Sequence, residues 1–151
     1  MARALFEICC DADSELGLAA EARGLVHERI TLEDRFDLAR GVAKARSFVA
    51  QQRTDVVVAL PCTAWCSWNQ LNAARLGRAF RARLAWRRRL SLRMARSAEL
   101  CCAEAIAGGG DVYFEWPRYC AGWAQPQIRG MVERLGLSIA DFDGCQAFRC
   151  V

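Results

Sequence analysis

The sequence is poor in the features that mark membrane spans, secretion and histidine-based sites. No run of about 18 apolar residues occurs, and acidic residues appear from Glu7 onward, before the apolar region of a signal peptide could form. His27 is the only histidine, and a lone histidine is more often a surface or internally satisfied residue than a metal ligand. We therefore expect an intracellular protein, cytoplasmic or nuclear, with no membrane partner.

Length and composition are those of one ordinary globular domain. The 151 residues are 54% hydrophobic and 25% charged, which excludes a disordered tail or a fibrous repeat and favours a single domain over residues 1–151. The nine cysteines are odd in number and lack an export signal, so a reducing compartment is expected instead of a disulfide framework. Most of these thiols should lie in the core, where cysteine behaves as a small hydrophobe.

Strand-like and helix-like segments alternate along the chain. The clearest strand is 54–60, whose β-branched run is typical of a strand buried on both faces. The other predicted elements are, in order, strand 4–9, helix 15–22, strand 25–30, helix 37–52, helix 72–107 bent near Gly77, strand 111–116, helix 127–135 and strand 137–142. This alternation predicts an α/β fold, a Rossmann-like three-layer sandwich with a mainly parallel sheet of about five strands.

Reactive groups occur where the predicted strands end, and the carboxyl ends of parallel strands carry the ligand sites of such folds. Cys62 follows Pro61 directly after the central strand, where it is held rigidly and where a helix N-terminus would favour its thiolate. Glu115 ends the 111–116 strand in an apolar context and is either a proton donor or a surface carboxylate. Cys62 is the candidate nucleophile and Glu115 the candidate acid.

The order of three short motifs resembles the cytosine-5 DNA methyltransferases, which use S-adenosylmethionine. The motifs are Leu-Phe-Glu at 5–7, Pro-Cys-Thr-Ala-Trp at 61–65 and Phe-Glu-Trp-Pro at 114–117. In that family, the cysteine of a Pro-Pro-Cys motif attacks C6 of cytosine and a glutamate protonates N3. The resemblance implies these roles for Cys62 and Glu115, and transfer of a methyl group to a nucleic-acid base. It covers an incomplete catalytic half without a target-recognition domain.

The resemblance also implies which residues bind the cofactor. In the family, a glycine-rich loop after the first strand holds the methionine end, and acidic residues hold the ribose and the adenine. The residues that correspond here are Phe6, Glu7, Asp11, Glu28, Asp37 and Pro61. Ile8, Cys10 and Asp11 stand where the family has glycines, the residue type that lets a backbone approach a cofactor freely.

A long stretch of the chain has no acidic residue. Between Val56 and Ala98 there are nine arginines and no carboxylate, so the net charge of +4 conceals a strong dipole. On a helix, five of these arginines form a stripe about 60° wide, mostly opposite the apolar side chains. The stripe consists of Arg75, Arg78, Arg89, Arg93 and Arg96. Arginine suits bidentate phosphate contacts, so we expect nucleic acid as partner, DNA rather than RNA.

Aromatic and amide side chains precede this helix. Trp65 and Asn69 lie in the loop after Cys62, together with Trp68. Aromatic faces and amides beside a basic stripe suit a flipped or single-stranded base. The alternative for each tryptophan is that it packs the helix onto the sheet.

A non-catalytic nucleic-acid-binding module is the first alternative function. It would keep the methyltransferase-like fold without the cofactor loop. The order of Pro-Cys-Thr-x-Trp and Glu-Trp-Pro also faintly resembles segments of protist retroelement polyproteins. That resemblance implies a mobile-element origin, with other domains of a larger polyprotein as partners.

A zinc-dependent nucleobase deaminase is the second alternative. That class uses His-x-Glu and Pro-Cys-x-x-Cys, whereas His27 and Glu28 are adjacent and Cys62 and Cys66 are separated by three residues. A cysteine-only zinc site is the remaining arrangement, and it would draw on Cys62, Cys66, Cys145 and Cys150. No close Cys-x-x-Cys pair supports it, so we expect no metal.

Overall fold

The computed structural model describes residues 3–142 and has an α/β fold around one parallel sheet. The strands are β1 (Ala4–Ile8), β2 (Val26–Ile30), β3 (Thr54–Val58) and β4 (Val112–Phe114). The helices are α1 (Glu15–Ala22), α2 (Ala39–Val49), α3 (Ser67–Arg75), α4 (Gly77–Ala107) and α5 (Pro126–Arg134), with 3-10 turns at Thr63–Trp65 and Ala121–Ala124. The strand order is β2-β1-β3-β4, and all neighbours are parallel. The predicted fold class is confirmed.

Two predicted elements differ from the structure. The sheet has four strands in the described residues instead of about five, because residues 137–142 form no strand. Ile139 and Phe142 are exposed there, so this segment buries no apolar face against the sheet. The predicted helix 72–107 is two helices, α3 and α4, and α3 begins earlier, at Ser67. The break falls at Gly77, whose left-handed φ of +75° ends the first helix.

The two faces of the sheet are covered by different helices. Successive side chains of a strand point to opposite faces. Phe6 of β1 stacks on Phe48 of α2 with ring centroids 5.2 Å apart, whereas the next residue, Glu7, bonds Ser14 at the start of α1. The helices α2 and α4 contact each other, so the main core lies between them and the sheet.

Small side chains bring α4 close to the sheet. Its buried residues recur at spacings of mostly three and four, as one helix face requires. They are Leu84, Ser91, Ala95, Ala98, Cys101, Cys102 and Ala105. A helix of 31 residues is about 46 Å long, whereas a strand of five residues spans about 17 Å. The amino-terminal half of α4 therefore extends past the carboxyl edge of the sheet, where it packs on α3 and on the Thr63–Trp65 turn.

Trp116 joins the ends of β3 and β4. Its Nε1 donates a hydrogen bond to the Leu60 carbonyl oxygen at 2.7 Å, and its ring packs edge-on against Phe114 and Trp123. The loops that follow the two strands are thereby held together at the carboxyl edge.

We expect Gly110→Ala to destabilise the fold. The turn after α4 brings Gly110 against the Thr54 backbone, and an added Cβ would overlap the Thr54 carbonyl group. Forcing an extra carbon into such a site costs about 1–3 kcal/mol, so urea unfolding should show a loss of that size. Gly108→Ala is the matched control, because its Cβ would make only ordinary contacts, with the nearest atoms 3.4 Å away. Equal stability of the two variants would contradict the expectation.

Candidate functional site

The carboxyl edge of the sheet has a topological switch point between β1 and β3, where the chain reverses its winding, and we call this place the crevice. The loop after β1 leads to α1 on one face, and the loop after β3 leads to α3 and α4 on the other. Ligands of open α/β sheets bind at such switch points. Cys9, Cys10 and Asp11 follow β1 at this crevice, and Pro61 and Cys62 follow β3. The predicted site residues of both loops are therefore neighbours in space.

Cys62 and Glu115 lie at the ends of adjacent strands. Cys62 is half-buried against the core, and the backbone N–H of Glu115 bonds the Val58 carbonyl oxygen at 2.9 Å, while the Glu115 side chain is exposed. Burial first, and then the charges of Cys62, Cys66 and Glu115, raise the pKa of Cys120. The roles of Cys62 and Glu115 stay predictions.

The first two residues that the resemblance assigns to the cofactor are buried in internal contacts. Phe6 is fully buried against Phe48. Glu7 is also buried, and its Oε2 accepts hydrogen bonds from Ser14 Oγ at 2.6 Å and from the ring of His27 at 2.8 Å. Neither side chain is directed to the crevice. Glu7 instead attaches α1 to β1 and β2.

Sequence reasoning missed the network around His27. Its side chain is almost fully buried, and the second ring nitrogen lies 3.2 Å from Arg29 Nη2. Gly17 of α1 has no side chain, and an added Cβ would overlap the His27 ring. A buried imidazole between a carboxylate and a guanidinium is satisfied internally, so His27 has a structural role.

The other acids assigned to the cofactor are also paired. Glu28 lies two residues before the end of β2, and its carboxylate is 3.4 Å from Lys44 Nζ. Asp37 accepts two hydrogen bonds from the Arg35 guanidinium, at 2.7 and 2.6 Å. Arg35 is the main cause that lowers the pKa of Asp37, and Arg93 adds a smaller effect.

The crevice does not fit S-adenosylmethionine. Asp11 and Pro61 are exposed, but the other four assigned residues are buried or paired as described above. Cys9 adopts the left-handed backbone conformation, with φ of +64°, that a glycine would adopt at less cost. The loop after β1 therefore carries side chains at the positions where the cytosine-5 methyltransferases have glycines.

The described cysteines are all free thiols, and no metal site joins them. Three of the seven described cysteines, Cys101, Cys102 and Cys120, are buried core thiols, whereas Cys9, Cys10, Cys62 and Cys66 are half-buried. The expectation that most of the thiols lie in the core is therefore met only in part. No group of three histidine, cysteine or acidic side chains within residues 3–142 is placed to hold a metal ion. Cys145 and Cys150 of the proposed zinc arrangement lie outside the described residues.

The arginines of α3 and α4 form the most strongly charged surface. Eight of the nine arginines between 75 and 96 are exposed, and within residues 3–142 none of the nine forms an ion pair with a carboxylate. Arg88 is the half-buried one, and it bonds the Ala64 carbonyl oxygen at 3.0 Å. Arg75 belongs to α3, so helical periodicity does not fix its place in the predicted stripe. We define the arginine face as Arg78, Arg89, Arg93 and Arg96 of α4.

The two residues assigned to a base form hydrogen bonds within the protein, and Asn69 lies in α3 instead of the predicted loop. Trp65 is 3% exposed and its Nε1 donates to Ser91 Oγ of α4 at 2.9 Å, so its ring belongs to the core and offers no face to a base. The Asn69 amide bonds the Thr63 carbonyl oxygen and Cys66 Sγ. The packing alternative is thus the one observed for Trp65.

Two concave regions adjoin the arginine face. A groove of about 740 Å³ lies between α4 and α5, and Arg93 and Arg96 line it. Its one acidic lining residue, Glu99, accepts hydrogen bonds from Arg134 at 2.6 and 3.0 Å. A smaller hollow of about 310 Å³ is lined by Trp86, Arg89, Leu90 and Arg93. Both regions combine positive charge with apolar walls.

Within residues 3–142 no helix is long and apolar enough to cross a membrane.

We expect the native thiols to differ in their reaction with iodoacetamide. Burial raises the pKa of Cys9, Cys101 and Cys102 to about 12 and that of Cys10 to about 11, so little reactive thiolate is present near neutral pH. Cys62 should therefore be alkylated well before Cys9, as peptide mass spectrometry can measure.

The pH dependence gives a second check on these thiols. The labelling rate of Cys9 and Cys10 should rise about tenfold per pH unit between about pH 7 and 9, because the thiolate fraction grows tenfold per unit below the pKa. Protein unfolded in urea is the control, in which the difference in labelling rate between Cys9 and Cys62 should disappear. Equal native labelling of Cys9 and Cys62 would contradict the assignment.

Comparisons with protein-family models, with curated proteins and with solved structures find no match to this chain. The resemblance to cytosine-5 methyltransferases therefore depends on three short motifs alone. The charge of α4 is the strongest functional feature of the described residues.

Proposed function

We propose that this chain binds nucleic acid through the arginine face of α4. The observation that carries the proposal is that these arginines are exposed and have no carboxylate partners in the described part of the chain. Like charges three or four residues apart on a helix, such as Arg89 and Arg93, repel each other by about 0.2–0.5 kcal/mol per pair. A bound polyanion neutralises these charges, so relief of their mutual repulsion adds to the free energy of binding.

The chemistry of the face suits phosphate groups. Arginine presents a planar set of donors that matches two phosphate oxygens. The rise of about 1.5 Å per residue separates Arg89 from Arg93 by about 6 Å along α4, so adjacent side chains can reach successive phosphates. Contacts of this kind position a backbone without reading its sequence, and DNA remains the expected partner within an intracellular compartment.

Removing two arginines of the face should weaken binding and its salt dependence. Each phosphate contact contributes about 0.9 to the slope of log K against log salt on duplex DNA. Arg89→Ala with Arg93→Ala should therefore reduce that slope by about 2 and the affinity by tenfold or more, measured by fluorescence anisotropy over a salt series.

The matched control removes two arginines at the opposite, amino edge of the sheet. Arg23 and Arg53 are exposed, and the Arg53 carbonyl bonds the start of β1. Arg23→Ala with Arg53→Ala changes the net charge equally and should leave the slope within experimental error. Equal losses in both double variants would show that only net charge matters and would refute a defined face.

Methyl transfer to a base is the second candidate function. The observation that favours it is that Cys62 and Glu115 follow the adjacent strands β3 and β4. In this candidate, the Cys62 thiolate attacks C6 of cytosine and Glu115 donates a proton to N3, as the resemblance implies. The occupied loop after β1 is the feature that opposes it.

Calorimetry with S-adenosylmethionine separates the two candidates. Because Glu7, Glu28 and Asp37 already have partners, we expect no heat of binding from the folded chain. Asp11→Ala, which alters an exposed loop residue, should then give the same trace as the wild type. Micromolar binding that Asp11→Ala or Asp37→Ala weakens would make methyl transfer the preferred function.

A further inference from the structure

Three of the five tryptophans are held by hydrogen bonds to other parts of the protein, and a fourth lies on the basic surface. Trp65, Trp116 and Trp123 each donate a hydrogen bond from Nε1 to a protein oxygen. Trp86 is instead 54% exposed, and its indole lines the hollow that Arg89 and Arg93 also line. A large apolar ring is thus presented to solvent between positive charges.

Helical geometry places Trp86 within the charged surface. At 100° per residue, Trp86 and Arg93 lie about 20° apart around α4, and Arg89 lies about 60° from Trp86. The residues that pack α4 on the sheet, such as Ser91 and Ala98, lie on the other side of the helix. The Trp86 indole and the guanidinium groups of Arg89 and Arg93 therefore lie on the same side of α4.

We infer that Trp86 and the arginine face form a binding site for single-stranded nucleic acid. A base stacks on the Trp86 indole, while Arg89 and Arg93 contact the phosphates on either side of it. This inference rests on the proposed function and specifies its substrate class. The groove between α4 and α5 continues the path, because Arg93 lines both concave regions.

Single strands are favoured because only unpaired bases offer a free ring face. In a duplex the faces of the bases are covered by their neighbours, so an exposed tryptophan beside the arginines would contact only backbone. Stacking on aromatic side chains is tolerant of sequence and strengthens binding about 5- to 150-fold per base. The paired Glu99 also suits this path, because Arg134 neutralises the one carboxylate in the groove.

The test measures the affinity of the full chain for labelled oligo(dT), oligo(U) and a duplex, each about 20 nucleotides long per strand, at one salt concentration. We expect tighter binding of the single strands than of the duplex. Trp86→Ala should reduce the single-strand affinity about tenfold and leave the duplex affinity unchanged, while Trp86→Phe should retain most of it. Quenching of tryptophan fluorescence by oligo(dT) should fall in Trp86→Phe.

The control alters an aromatic residue of equal exposure elsewhere. Tyr113 of β4 is 56% exposed and lies on the sheet face opposite α4, since the adjacent Val112 packs on the core. Tyr113→Ala should bind oligo(dT) like the wild type. Circular dichroism of each variant confirms that the comparison is between folded proteins.

The possible outcomes test the single-strand site at Trp86 separately from nucleic-acid binding by the arginine face. If Trp86→Ala binds oligo(dT) as the wild type does while the arginine variants lose binding, the single-strand site is refuted and nucleic-acid binding stands. Tighter binding of the duplex than of the single strands would also refute the single-strand site and leave nucleic-acid binding standing. Absence of binding to every probe would overturn both. A preference between oligo(dT) and oligo(U) would decide whether DNA or RNA is the better ligand.

Discussion

The close packing of α4 on the sheet is the constraint on which the other features depend. Small residues such as Ala95 and Ala98 let the helix backbone approach β3 and β4, and Gly110 lets the chain turn back beside Thr54. Only the carboxyl-terminal half of α4 is needed for this contact. The amino-terminal half therefore extends beyond the sheet and carries Arg78 and Arg89, which form no ion pair with a carboxylate among the described residues, while Arg93 and Arg96 follow just past the midpoint of α4.

At the carboxyl edge of the sheet, in contrast to the arginine face, Glu7 and Asp37 are paired within the protein. A buried carboxylate is costly unless hydrogen bonds compensate its lost hydration, and Glu7 is compensated by Ser14 and His27. The same interactions attach α1 to the sheet, so they cannot be exchanged for a cofactor without loosening α1. Asp37 is held by Arg35 in a similar way. Charges at this edge stabilise the fold, whereas those on the arginine face remain available to a ligand.

Local sequence signals predicted the elements well and the long-range partners poorly. The start of the helix 15–22 could be predicted because a helix cap needs only the next turn, and Ser14 Oγ does accept from the Gly17 N–H. The role of Glu7 could not be predicted, since its partner His27 lies 20 residues away and depends on the β1–β2 register. The sequence left base contact and packing both open for Trp65 for the same reason, because its partner Ser91 lies 26 residues away. Trp86 could have been found, because helical spacing alone aligns it with Arg93.

The packing of the Thr63–Trp65 turn makes the charged surface and the carboxyl edge one unit. Trp65 is bonded to Ser91, and Arg88 is bonded to Ala64 while its guanidinium lies over the Trp65 ring, 5.2 Å from the ring centroid. Cys62 begins this turn, so its position is fixed relative to α4 by three interactions. A nucleic-acid strand bound along the arginine face, as we propose, would therefore be held at a defined distance from Cys62. Arg88 differs from its exposed neighbours, because its guanidinium forms contacts within the protein, whereas the proposed ligand would contact theirs.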